Sequence, residues 1–202
     1  MITIVNYGMG NLGSMLNMFK RIGIDVSIES DPAVIREAEK LVLPGVGAFD
    51  TGMTCINSCA GLREVLNYKA LIEKAPILGV CLGMQLLTRS SEEGKLPGLG
   101  WIPAITSRFP KQKGLKVPHM GWNVALPNMS SHLTAHVGYK PRYYFVHSYC
   151  VHVDDPAHSL MKTHYELDFD SAIGHDNIYG VQFHPEKSHR FGLQILKSFA
   201  EL

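Results

Sequence analysis

A chain of 202 residues, 46% of them hydrophobic, is long enough to bury a sizeable core within one domain. Its formal net charge of +1 offers neither the basic excess of a nucleic-acid binder nor the acidic tract of a solvating tail. The apolar runs are strand-sized, so no membrane span or leader is expected, and four cysteines make no disulfide scaffold, which points to a reducing, cytoplasmic compartment.

Ile2–Asn6 reads as a buried strand. Gly8, Gly10 and Gly13 follow in the spacing G-x-G-x-x-G, and Glu29 closes the next strand-like run. That is the dinucleotide-binding fingerprint, in which glycines let the chain lie against a pyrophosphate at a helix N-terminus. It raises a nicotinamide or flavin enzyme as a first reading. Asn11 is placed to cap a helix with Leu12, Met15, Leu16, Phe19 and Ile22 on one face, stopped by Gly23. Ile24–Ile28 is a second strand, and Ser30-Asp31-Pro32 a helix start. Leu41–Leu43 is a third strand, ending in the loop Pro44-Gly45-Val46-Gly47. Leu62, Val65, Leu66 and Ile72 mark a longer helix, and Ile77–Val80 a fourth strand running into Cys81. Strands alternating with helices predict a parallel sheet with right-handed crossovers.

From Gly100 to about Gly180 the pattern changes to period two, as in Tyr143–Tyr149, Cys150–Val153 and Ile178–Val181. Gly114, Pro127-Asn128 and Asp154-Asp155-Pro156 supply turns between such stretches. These predict β-hairpins extending the parallel sheet, then a closing helix from about Ser188 to Ala200. The expected fold class is α/β: an open, mainly parallel central sheet with flanking helices and added antiparallel hairpins, in a single domain over residues 1–202.

The chemistry concentrates at Gly79-Val80-Cys81-Leu82-Gly83, an apolar strand entering G-x-C-x-G before a helical pattern. This is the cysteine form of the nucleophile elbow, whose sharp turn needs glycine at both second neighbours. A sulfur at a helix N-terminus is favoured as thiolate, and the Leu82 amide is free to face a developing oxyanion. The plain alternative is that Cys81 is a small core residue. Cys55 and Cys59, four apart on a helix, complete no metal site and read as packing, as does Cys150.

A thiolate needs a base. Of ten histidines, His132, His158, His164, His175 and His189 read as solvated. His184 ends the strand Ile178–Phe183, Pro185 stops the ladder, and Glu186 follows at two-residue spacing. In extended chain that spacing sends both side chains the same way, so Glu186 can orient the imidazole as the acid of a triad.

The stretches GVCLGMQLL, PGVGAFD and GVQFHPEKS resemble motifs of the class I (triad) glutamine amidotransferases. Three finer pieces, NYGMGNLGS, KVPHMGWN and YYFVHSY, resemble the amidotransferase subunits of histidine biosynthesis, and the likeness runs from residue 3 to about 200. The resemblance implies glutamine hydrolysis by Cys81, His184 and Glu186, with Val46 and Leu82 amides at the oxyanion. It implies glutamine contacts from Gly45, Gly47, Gln85, His147, Ser148 and Tyr149. It implies no cofactor and no metal. The glycine-rich loop then belongs to the subunit's own pattern and the dinucleotide reading falls. The partner implied is a cyclase subunit, a (β/α)8 barrel, in a heterodimer, with Asn11, Met120, Trp122, Tyr144 and Lys187 as interface candidates. Neither nucleic acid nor membrane is expected as a partner. Three rivals stand beside it: a paralogous subunit feeding another synthase, a Cys-His hydrolase or peptidase of similar fold, and a non-enzymatic regulatory subunit, against which the intact triad argues.

Overall fold

The computed structural model describes residues 1–202. Its first half runs β1 (Ile2–Val5), α1 (Leu12–Arg21), β2 (Val26–Glu29), α2 (Pro32–Arg36), β3 (Lys40–Gly45), α3 (Phe49–Ser58), α4 (Leu62–Asn67), β4 (Ile77–Cys81) and α5 (Leu82–Leu86). The second half adds β5 (Ala104–Arg108), β6 (His119–Pro127), β7 (Arg142–His147), β8 (Tyr149–Val153), β9 (Ser159–His164), β10 (Asp168–His175), β11 (Ile178–Val181) and α6 (His189–Ala200). The strands form one sheet in the order β2-β1-β3-β4-β11-β10-β9-β6-β7, with β8 pairing β10 and β5 pairing β8. From β2 to β11 the neighbours are parallel, and beyond β11 they are antiparallel. The central parallel sheet and the added hairpins are both as expected.

Parallel strands are covered on both faces, and their side chains alternate between two cores. Ile4, Val42 and Leu78 join Met15 and Phe19 of α1 on one side. Val5, Leu41, Leu43 and Ile77 join Phe49 and Met53 of α3 on the other. The Asp31 cap holds, with its carboxylate accepting from Ala33 N at 2.8 Å. Asn11 occupies the N-cap of α1 but its side chain makes no capping bond; only its carbonyl takes part, accepting from Met15 N at 3.2 Å.

Several boundaries differ from expectation for local reasons. β2 begins at Val26 because Ile24 N is still bonded to the Phe19 carbonyl at 3.1 Å, closing α1 around Gly23. β3 continues through Pro44 and Gly45, which pair with Val80 and Cys81 of β4. The longer helix from Leu62 is regular only to Asn67 and continues as a π turn over Tyr68–Ile72. That wider turn buries Lys69, whose ammonium reaches the Arg36 carbonyl at 3.2 Å and the Glu73 carboxylate. It also leaves Ile72 exposed, off the apolar stripe. Cys59 lies just past the end of α3.

The glycine-rich loop packs against the chain itself. A Cβ on Gly10 would stand 3.0 Å from Pro44 Cβ, and one on Gly47 would stand 2.7 Å from Met9 Cε. Gly13, which in a dinucleotide fold packs a helix tightly on its strand, has nothing within 4 Å of a Cβ. Gly13→Ala is therefore expected to be neutral or to stabilise by about 0.5 kcal/mol. Gly83→Ala, whose Cβ would fall 1.8 Å from the Leu43 carbonyl oxygen, is expected to cost about 3 kcal/mol or more. Urea unfolding of the two variants checks the contrast.

Candidate active site

Cys81 ends β4 with φ 55° and ψ −110°, a backbone that side-chain-bearing residues rarely adopt. Glycine on both sides makes the turn possible. A Cβ on Gly79 would stand 2.7 Å from the Gly83 carbonyl oxygen, so α5 starts in direct contact with the strand before it. The sulfur thus emerges at the C-terminal edge of the sheet, with Leu82 as the first residue of α5. That helix has only five residues, so the expected dipole support shrinks to the unpaired N–H groups of a single turn.

His184 is placed by a bridge to Tyr144. Its backbone N–H donates to the Tyr144 carbonyl at 2.9 Å, and the Ser188 hydroxyl donates to the His184 carbonyl at 2.6 Å. The ring Nδ1–H donates to Glu186 Oε1 at 2.8 Å, both side chains being almost wholly buried. Nε2 is buried without a hydrogen-bond partner. Burial works against a charge on this ring, but the nearby Cys81 sulfur and Glu186 carboxylate outweigh it and hold the pKa up at about 10. At neutral pH the ring is an imidazolium beside a sulfur, the pairing that favours a thiolate.

A cavity of about 280 Å³ opens over these groups. It is lined by Val46, Gly47, Cys81, Leu82, Gln85, His147, Ser148, Tyr149 and His184, all of them expected at the site. Gly45 does not line it. Gly45 is buried, and its missing Cβ lets β3 approach Gly83 N (2.7 Å), Leu82 Cβ (2.8 Å) and the Tyr7 hydroxyl (2.9 Å). Glu186 also stays out of the cavity, on the other ring nitrogen of His184. Glu93, Pro118 and Val146 line the cavity without having been expected there. Glu93 is its single carboxylate, and Oε2 accepts from Phe49 N at 2.9 Å. A lone acid in a loop has no periodicity to betray it. Its loop is anchored by Asp50, which accepts from Lys95 N and Leu96 N.

Behind the wall runs a chain of buried rings. His147 Nδ1 faces the Tyr149 carbonyl at 2.7 Å, so it carries the proton and Nε2 accepts. His119 Nδ1 then donates to that Nε2 at 2.9 Å, and Asn123 Nδ2 donates to His119 Nε2 at 3.2 Å. His119 is stacked between Phe145 and Tyr165, with centroids at 4.7 and 4.0 Å. Burial lowers the pKa of His119 to about 4 and, foremost among several causes, that of His147 to about 3. Both rings stay neutral.

On β6 the neighbours of these inward residues face out. Met120 and Trp122 are exposed. Trp122 stacks on His189 at 5.5 Å and meets Tyr144 edge-on at 6.3 Å, while the Lys187 ammonium lies 5.7 Å over the Tyr144 ring. Asn11 is exposed. Of the histidines expected in solvent, His132, His164 and His189 are exposed. His158 and His175 are instead half-buried, edge to face at 4.6 Å. All four cysteines are free, with Cys150 buried and Cys55 and Cys59 half-buried. No cluster of three or more His, Cys, Asp or Glu side chains is arranged to hold a metal ion, and no helix is long and apolar enough to cross a membrane.

The family model of the class I glutamine amidotransferases matches residues 3–201. The chain belongs to that family. It is 52% identical over 199 residues to the imidazole glycerol phosphate synthase subunit HisH 2 of Methanococcus maripaludis, covering 98% of each chain. It is 46% identical to the subunit of the same name from Pseudomonas aeruginosa over the full length of both. Within the family, the chain falls among the HisH subunits. A solved glutamine amidotransferase structure shares the fold, with a TM-score of 0.76 at 15% identity, covering 100% of this chain and 99% of that one.

The neutral histidine pair sets an acid limit on stability. Below pH 6.5 the unfolded chain takes up protons that the folded rings refuse until about pH 4 or 3, so stability falls as pH drops through that window. His184, with its pKa raised, has its full contribution only below 6.5 and gains the last part of it, under about 1 kcal/mol, as pH falls from 7, so it offsets this trend only in part. Between pH 7 and pH 5 the pair is expected to cost about 4 kcal/mol, roughly 2 for each ring. Urea unfolding at both pH values should show that loss, and His119→Gln should remove about half of it.

Proposed function

We propose that this chain is the glutaminase subunit of imidazole glycerol phosphate synthase. It hydrolyses L-glutamine to glutamate and ammonia and delivers the ammonia to a (β/α)8-barrel cyclase subunit. The cyclase makes imidazole glycerol phosphate and aminoimidazole carboxamide ribotide in histidine biosynthesis. The observation that carries this reading is a buried cysteine in left-handed backbone that shares a cavity of about 280 Å³ with a carboxylate-backed histidine.

In this reading the Cys81 thiolate attacks the side-chain amide carbon of glutamine, and the carbonyl electrons move onto oxygen. The Leu82 amide and the Val46 amide receive that oxyanion; losing one such donor typically costs a hundredfold or more, about 3 kcal/mol. The imidazolium of His184 gives its Nε2 proton to the amide nitrogen, and ammonia leaves as the γ-glutamyl thioester forms. Neutral His184 then takes a proton from water, which attacks the thioester and releases glutamate and the thiolate. Glu186 holds the ring and stabilises its charge throughout.

Glu93 is suited to the α-ammonium group of the substrate. Gln85, Gly47 and the segment His147-Ser148-Tyr149 bound the rest of it. The exposed Met120 and Trp122, with Asn11, Tyr144 and Lys187, form the proposed contact with the cyclase, since exposed aromatic residues are common anchors of interfaces. Val46 is exposed and is followed by Gly47 at φ 127°, so its peptide is accessible to a partner.

Glutamate release is expected to be low for the chain alone and to rise strongly with the cyclase and its nucleotide ligand. Cys81→Ala should abolish it in every mixture. A coupled glutamate assay on the three mixtures checks both. Strong release indifferent to this cyclase would assign the ammonia to another synthase, and release by the alanine variant would remove Cys81 from the mechanism.

A further inference from the structure

Gln182 lies between β11 and His184, wholly buried, and none of the roles above uses it. Its Oε1 accepts from Gln85 Nε2 at 3.0 Å, and its Nε2 stands 3.7 Å from the Cys81 sulfur in donor geometry. The direction of this pair of amides is determined by chemistry. Gln85 Nε2 also donates to the Tyr149 carbonyl at 3.4 Å, and a carbonyl can only accept. The end of Gln85 at that corner is therefore its NH2, the end of Gln182 that meets it is oxygen, and the NH2 of Gln182 is left facing sulfur. The ordering acceptor is itself held, because His147 Nδ1–H donates to the same Tyr149 carbonyl at 2.7 Å.

We propose that Gln182 is a further catalytic residue, donating its side-chain N–H to the Cys81 sulfur and favouring the thiolate, with its direction enforced through Gln85 by the Tyr149 carbonyl. The proposal rests on the reading of Cys81 as the nucleophile. A hydrogen bond to a thiol is weak, whereas the same bond to a thiolate is charge-assisted, so a fixed donor shifts the balance toward the ion. The need for one is plain here, since α5 is a single short turn. His184 from the end of β11, His147 from β7 and Glu93 line the same cavity as the sulfur, and the Tyr7 phenol, donating to the Pro44 carbonyl, lies near enough to feel its charge. Burial, with the charges of Cys55 and Cys81, pushes the Tyr7 pKa up and keeps that phenol neutral. His184 works from one side of the sulfur. Gln182 supplies a donor that never loses its proton and remains in place after His184 has given its own away.

The test is the pH dependence of Cys81 alkylation by iodoacetamide in the full chain, read by peptide mass spectrometry so that the other cysteines are counted separately. Gln182→Glu keeps an oxygen toward Gln85 and replaces the donor by an anionic oxygen. Its alkylation midpoint is expected to rise by about one pH unit or more, a tenfold loss of thiolate. With the cyclase and its ligand present, kcat should fall by a similar factor while KM for glutamine stays within about twofold, because Gln85 keeps its acceptor. Gln182→Met, without donor or acceptor, should also raise the midpoint and should raise KM as well; it decides the matter if the glutamate variant does not fold. An unchanged midpoint overturns the proposal. Absence of glutamate release by the unmodified chain would instead remove the glutaminase reading, while the shift in midpoint would still report the contact between Gln182 and the sulfur.

Discussion

The left-handed backbone at Cys81, with φ 55°, is held where the sheet is most constrained. A conformation of this kind costs on the order of 1–3 kcal/mol and persists only when its surroundings over-determine it. Here β4 is gripped in parallel register by β3 on one side and β11 on the other. The same register delivers the rest of the site. Gly45 pairs with Cys81, which brings Val46 to the sulfur's edge, and Val181 pairs with Val80, which brings Gln182 and His184 there from the opposite side. Glycine at positions 79 and 83 removes the two side chains that would push the turn away from its neighbours. One strained residue and its strand neighbours account for where the proposed nucleophile, oxyanion loop and base stand.

The antiparallel half contributes shape and orientation. β6 and β7 pair His119 with His147 and Trp122 with Tyr144, so one ribbon bounds the cavity and also carries the exposed aromatic surface. Alternation along β6 separates the two duties, with His119 and Asn123 turned to the buried histidine chain and Met120 and Trp122 turned to solvent. The inner chain is hydrogen-bonded without a break from Asn123 through His119 and His147 to the Tyr149 carbonyl, in the wall that bounds the cavity.

The features legible in the sequence were those imposed by local constraints. The elbow needs glycine at fixed offsets, and His184 and Glu186 do meet as their spacing predicts, but through a 3-10 turn over Pro185–Lys187 and not through the extended chain expected there. Gln182 lies one step further back at the same spacing, but its neutral amide carries no titratable group to mark it. Glu93 and the His119–His147 contact depend on loops and strands far apart in the chain, and no local pattern marks them. The glycine-rich loop misled for a physical reason. Glycines that let a backbone approach a pyrophosphate serve equally to let it approach another backbone, and in this fold the neighbour of Gly10 is the segment Pro44-Gly45. The π turn after Asn67 was equally hidden, since it answers to where Lys69 can find its partners.

In the proposed reaction Cys81 is the group that meets glutamine's side-chain carbon. The most direct measurement is covalent labelling by a glutamine analogue that carries a diazoketone in place of the amide, with the modified peptides located by mass spectrometry. One equivalent of label on the peptide containing Cys81, prevented by excess glutamine and absent after His184→Ala, is the result expected. Label distributed over Cys55 and Cys59, or label on Cys81 that glutamine does not prevent, would contradict it.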